Sequence, residues 1–132
     1  MIEKININTR KRNELFDVTA AIAESIRRSA VKNGICVIYT PHTTAGIIIN
    51  ENADPDVKSD IILFLNKLIP QDNKFAHSEG NSDSHIKSAL CGNSKTVFIE
   101  NGGLALGEWE GIYLAEFDGP RKRKVWIKII EG

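Results

Sequence analysis

The sequence predicts an α+β fold, a single domain in which a β-sandwich of mostly antiparallel strands is flanked by two to three helices. Three observations carry this. Polar and apolar residues alternate at the N-terminus, helical spacing recurs in three middle segments, and glycine-containing turns join a run of strands at the C-terminal end. The element order is β-α-β-β-α-α-β-β-β. No linker, repeat or low-complexity stretch divides residues 1–132, so one domain is expected.

Each element has a local reason. Ile5 and Ile7 alternate with Lys4, Asn6 and Asn8, which predicts a strand with one buried face. From Asp17 to about Lys32, Val18, Ile22, Ile26 and Ala30 fall at helical spacing, and Asn33-Gly34 is the expected stop. Gly34 to Thr40 is β-branched and apolar, a buried strand that Pro41 ends, and Ile47 to Ile49 is the next strand. Asp54-Pro55-Asp56 starts a helix, with Asp54 as cap and Pro55 in the first turn. Its stripe is Val57, Ile61, Phe64, Leu65 and Leu68, and Pro70 closes it. Gln71 to Gly80 is polar and irregular. Asn81 or Ser82 caps a short helix running to Leu90, with Gly92 at its end. Thr96 to Ile99, Ile112 to Phe117 and Val125 to Ile130 are the remaining strands.

Lys+Arg and Asp+Glu both total 17, so the formal net charge is zero. Without a net positive field, generic binding to nucleic acid or an anionic membrane is not expected. The longest apolar runs are too short to span a bilayer, and the N-terminus has no apolar signal core. Cys36 and Cys91 lie among apolar neighbours in no disulfide or CxxC pattern and read as buried thiols. A cytoplasmic protein is expected.

Chemistry concentrates around the chain's only histidines, His42, His77 and His85. His42 follows the break at Pro41, His77 lies in the polar segment, and His85 sits in the short helix. Three neutral imidazoles suit zinc and similar metals and leave a coordination position open, as catalytic sites do. A loop histidine is ordinarily just solvated, and these spacings match no short metal motif, so the pattern alone is a weak signal. Glu51 or Asp83 is a candidate general base, and carboxylates nearby are candidate partners for the far ring nitrogens. Asp54 is about equally well read as a plain cap. Thr43, Thr44, Asn81 and Ser82 are candidate substrate contacts that serve equally as turn or capping groups. Gly119-Pro120 places Arg121 at a strand end, where its planar fork can grip a phosphate. The following Lys122-Arg123-Lys124 reads as a solvated hairpin rather than a nucleic-acid signature.

Several segments together, His42-Thr43-Thr44-Ala45-Gly46, Asn50 through Val57, His77-Ser78-Glu79-Gly80-Asn81-Ser82-Asp83-Ser84-His85-Ile86-Lys87, Leu106-Gly107 through Leu114, and Asp118-Gly119-Pro120-Arg121, closely resemble the YjbQ family, also called UPF0047. The match runs in register from the first helix to the C-terminus. Ser84 and Glu108 depart from it, standing where alanine and threonine are common. The resemblance implies a β-sandwich domain assembling as a homotrimer, with a divalent metal held by His42, His77 and His85. Zinc is the first expectation, magnesium or nickel the alternatives. It also implies an activity like that of secondary thiamine-phosphate synthases.

Three functions follow as expectations. The first is a metal-dependent transferase joining a pyrimidine diphosphate to a thiazole phosphate with loss of pyrophosphate, in which Arg121 and the cation neutralise the leaving group. The second is a metal-dependent hydrolase of a small phosphorylated substrate, with Glu51 or Asp83 taking the proton. The third is a non-catalytic trimer that binds metal or a phosphorylated metabolite.

Overall fold

The computed structural model describes all 132 residues, Met1–Gly132. Eight strands and three helices follow in the order β1 Ile2–Asn8, β2 Glu14–Asp17, α1 Thr19–Ser29, β3 Gly34–Tyr39, β4 Ala45–Glu51, α2 Pro55–Leu68, α3 Ser82–Cys91, β5 Ser94–Glu100, β6 Gly103–Ala105, β7 Glu110–Glu116 and β8 Lys122–Glu131. They form a five-stranded sheet in the order β1-β8-β3-β5-β6 and a three-stranded sheet in the order β2-β7-β4. Every pairing is antiparallel.

Both sheets and α1 feed one core. Cys36 and Ile38 of β3, Val125 and Ile127 of β8, Ile47 of β4, Ile112 and Leu114 of β7 and Ile22 and Ile26 of α1 belong to a single buried cluster. The α+β class with antiparallel strands is therefore as the sequence predicts. No helix is long and apolar enough to cross a membrane.

Four boundaries differ from expectation. Residues Glu14–Asp17 pair with β7 as β2 instead of leading into a helix, and the Asp17 carboxylate accepts the Thr19 N–H to start α1 two residues later. α1 also stops early, at Ala30, whose φ of 59° is left-handed, so Asn33-Gly34 is not its terminator. The glycine-rich segment after β5 is a hairpin rather than an unstructured turn. Asn101 and Gly102, with φ of 51° and 79°, form the two-residue connection, and Phe98 to Glu100 pairs with Gly103 to Ala105. Positive φ at both central residues gives the turn the hand that matches strand twist.

α2 matches its prediction in sequence but not in burial. Asp54 accepts the Asp56 N–H at 2.9 Å, as a cap should. Yet no residue of α2 is buried, and Leu63, Phe64 and Leu68 are exposed.

The functional end of the fold is where β4 begins, β7 ends and β8 begins. Ala45 pairs with Glu116, and the Phe117 N–H donates to the Thr44 carbonyl. α3 lies across this end, held by two serines one helical turn apart. Ser84 donates to the Phe117 carbonyl and Ser88 to the Ala45 carbonyl. Ser84, one of the departures from the family pattern, thus ties the helix to the sheet.

Candidate active site

A cleft of about 430 Å³ opens at this end, and apart from Pro41 its eleven lining residues are polar or charged. His42, His77 and His85 all face it, brought together from the β3–β4 connection, the Gln71–Gly80 segment and the second turn of α3.

Their positions differ in firmness. His42 Nε2 accepts the backbone N–H of Lys124 at 2.9 Å, which fixes the ring against β8. Burial, then the positive charge of Arg123, holds its pKa below the usual histidine value, so the neutral imidazole is favoured. The rings of His77 and His85 stand edge to face with centroids 5.5 Å apart. His77 Nε2 is 3.9 Å from a Glu79 carboxylate oxygen.

The donor set suits a borderline divalent cation. Metal–nitrogen bonds of about 2 Å put each ring centroid about 3 Å from the ion, so two tetrahedral ligands have centroids about 5 Å apart. The His77–His85 spacing agrees with that. As arranged, however, no three His, Cys, Asp or Glu side chains converge on one centre. His42 is moreover engaged, since its Nε2 is occupied by the Lys124 N–H. A neutral ring accepting there carries its proton on Nδ1 and has no free lone pair. His42 would have to give up that hydrogen bond to complete a three-histidine set.

The sheet side of the cleft is a buried charge network. Arg123 donates through Nε and a terminal nitrogen to both oxygens of Glu116, and again to the Thr44 hydroxyl at 2.7 Å. Glu116 also accepts from the Thr9 hydroxyl at 2.6 Å and from the Asp118 N–H. Burial pushes the Glu116 carboxyl up, but hydrogen bonds from Arg123 and Thr9 outweigh it and hold the pKa below the usual carboxylate range. Arg123 is 4% exposed. Its reading as one of four solvated cations is therefore corrected. Strand alternation puts Lys122 and Lys124 outward and Arg123 and Val125 inward, a signal present in the sequence.

Arg121 is exposed, as expected at a strand end. Its Nε donates to the Asp118 carbonyl at 2.7 Å and a terminal nitrogen to the Asp118 carboxylate at 2.9 Å. The same carboxylate oxygen accepts from Asn81 Nδ2 at 2.8 Å. Gly119 permits this close corner, since a Cβ there would stand 2.3 Å from the Lys11 carbonyl oxygen.

The other expected site residues divide. Thr43 lines the cleft, and Thr44 lines it with its hydroxyl engaged by Arg123. Asn81 occupies the N-cap position of α3 but makes no side-chain cap bond and turns to Asp118 instead. Ser82 lines a neighbouring hollow beside Phe75 and Ile86 rather than this cleft. Asp83 is not a free base. It is 1% exposed, accepts two hydrogen bonds from Arg12 and is bonded to Lys87 at 3.2 Å. Burial raises its pKa, yet the bonds from Arg12 and Lys87 prevail and keep it low. Glu51 is displaced altogether. It ends β4, roughly 20 Å along the strand from the Ala45 end at about 3.3 Å per residue, and its carboxylate accepts the Ala53 N–H. Glu79 and Asp118 are the carboxylates that do line the cleft.

Comparison with known proteins gives the family and the fold. The family described as UPF0047 protein YjbQ-like matches residues 3–132. A UPF0047 protein of Methanocaldococcus jannaschii is 59% identical over 130 residues, covering 98% of this chain and 94% of that one. The Bacillus subtilis UPF0047 protein YugU is 45% identical over 131 residues, covering 98% and 99%. A YjbQ/UPF0047-family crystal structure from Clostridium acetobutylicum superposes with a TM-score of 0.95 at 48% identity, covering 97% of this chain and 99% of that chain. A YbjQ-like protein of unknown function from Sulfolobus solfataricus gives 0.94 at 28% identity, covering 100% and 97%. With the motifs, the fold and these relatives in agreement, the chain belongs to the YjbQ-like UPF0047 family.

Proposed function

We propose that the histidine cleft is the active site of a metal-dependent enzyme acting on a small phosphorylated molecule. One observation carries the reading: all three histidines share one cleft with Arg121 and Arg123. His77 and His85 would hold a divalent cation, joined by His42 once its ring releases Lys124, and imidazole donors favour zinc or nickel over magnesium. Such a cation supplies Lewis acidity at a phosphoryl oxygen. Arg121 keeps one terminal nitrogen uncommitted, which suits it to hold a phosphate, and the buried Glu116 carboxylate keeps Arg123 in place behind it. Glu79, beside His77, takes over the general-base role first given to Glu51 and Asp83.

The family resemblance favours transfer, in which a pyrimidine methylene carbon bonds to a thiazole nitrogen as its bond to diphosphate breaks. The predominance of polar and charged side chains around the cleft favours the second reading, hydrolysis of a single phosphoester. Turnover separates them. Pyrophosphate released only when both substrates are present marks the transferase, phosphate released from one substrate marks the hydrolase, and neither marks a binding protein. His42→Ala, His77→Ala and His85→Ala should each lower metal content by elemental analysis while the fold is kept. Full metal in all three ends the metal assignment.

Homotrimer assembly belongs to the same proposal. α2 and β4 leave an apolar hollow of about 450 Å³ between Ile48, Val57, Ile61, Phe64, Leu65 and Cys91, a surface suited to further copies of the chain. Phe64→Glu should reduce the assembly to monomer in sedimentation, and a trimer unchanged by it would remove α2 from the interface.

A further inference from the structure

His77 and His85 line a second hollow as well as the cleft. Ser82, His85 and Ile86 stand three and four residues apart on α3, so they share one face of the helix. That face meets Phe75, Ala76 and His77 around a space of about 400 Å³. Phe75 closes a turn that Asp72 begins: the Asp72 carboxylate accepts the Lys74 N–H at 2.9 Å and its carbonyl accepts the Phe75 N–H at 3.2 Å. The hollow differs from the cleft in kind. Arg121, Arg123, Glu79 and Asp118 line the cleft, whereas no Lys, Arg, Asp or Glu lines the hollow.

Phe75 is the only large apolar residue between Gln71 and Gly80, and neither it nor Ile86 belongs to the buried core. Phe75 is 37% exposed and Ile86 41%. A single exposed apolar residue is ordinary. Here two of them meet beside a pair of histidines that also line a charged cleft. In small-molecule pockets apolar side chains supply contact area and a few polar groups fix orientation, and Ser82 and the imidazoles are such groups. Three rings, those of Phe75, His77 and His85, border the space, and a ring packs well against another ring, offset or edge to face. We propose that this hollow is a subsite for an aromatic ring of the substrate, so that the site takes an aromatic group joined to phosphate or diphosphate rather than a phosphorylated sugar or polyol. The phosphate is held on the Arg121 side and the ring on the Phe75 side, with the two histidines between them. The proposal rests on the phosphate reading above and deepens it by naming the rest of the molecule.

Calorimetry with phenylphosphonate and methylphosphonate tests it on the full chain, at a pH where both are doubly charged. Neither has an ester bond to hydrolyse, and they differ in the ring. The wild-type chain should bind phenylphosphonate roughly tenfold more tightly, and Phe75→Ala and Ile86→Ala should each bring that ratio most of the way to one. Both residues are exposed and lie on separate elements, so one folded variant suffices, and if neither folds the wild-type ratio decides. A wild-type ratio near one overturns the proposal, as it would if a second copy of the chain covered the hollow. A tenfold ratio that survives in either folded variant overturns it as well. If methylphosphonate binds and phenylphosphonate binds no better, the ring subsite alone fails. If neither binds, the phosphate reading falls and this inference with it.

Discussion

The sheet wall and the loop wall of the cleft present similar side chains by different physical means. On the sheet wall, Arg123, Glu116, Thr44 and Thr9 satisfy one another in a buried network, and His42 is fixed by the Lys124 N–H. On the loop wall, every residue from Gln71 to Gly80 is exposed, His77 and Glu79 among them, and the nearest charge contact is 3.9 Å. The first wall has its geometry before any ligand arrives. The second has no such buried network, as is common for loops that carry function on a rigid scaffold.

Breaking the sheet wall should have the largest effect. Arg123→Ala leaves Glu116, which is fully buried, without its cation, and removing one partner of such a pair costs about 3–5 kcal/mol. His77→Ala on the loop wall should stay within about 0.5 kcal/mol. Urea denaturation of both variants reads the contrast directly. Similar costs would show that the two walls are equally rigid and would remove the distinction.

Acid provides a second, smaller contrast. Glu116 and Asp83 both have folded-state pKa values below their unfolded ones, the first on the sheet wall and the second at the root of α3. A depressed carboxylate contributes stability that is present above the unfolded value, about 4, and is lost as pH falls through the folded value. The unfolded chain binds more protons in that window, so the two carboxylates should add a decline below about 4 to the shallower one that His42, whose folded value is also lowered, begins below about 6.5. Glu116→Gln should shallow the decline in an acid titration followed by circular dichroism. A decline unchanged by that substitution would place the acid sensitivity elsewhere.

The parts of this molecule that were legible in sequence are those governed by local rules. The Ile5–Ile7 alternation, the apolar run after Gly34 and the Asp54-Pro55 helix start all became the elements they predict. Asn101-Gly102 was equally legible, a strong hairpin signal hidden among glycines that read as turns. Arg123 could have been found from alternation along β8, had the four-cation run been read as a strand. Glu51 and Asp83 could not have been placed the same way. Glu51 lies close to His42 in sequence, but a strand carries it to the far end of the fold. Asp83 lies two residues from His85, but the partner that commits it, Arg12, arrives from the other end of the chain. The apolar stripe of α2 was visible, whereas the direction it faces is a tertiary fact.

The smallest expected change in stability falls where the two walls meet. Arg121 is 52% exposed at its side chain, and its bridge to Asp118 spans only three residues, so the pair contributes little to the fold. Arg121→Ala should move the unfolding midpoint hardly at all, about 0.5 kcal/mol or less. Its effect on binding should be much greater, because the uncommitted guanidinium nitrogen is the group left to meet an oxyanion. Roughly tenfold weaker phosphate affinity by calorimetry, with metal content unchanged, is the expected result. A large loss of stability would make Arg121 part of the rigid wall, joining Arg123. Unchanged affinity would move the phosphate role to Arg123, which also lines the cleft and whose Nη1 makes no hydrogen bond.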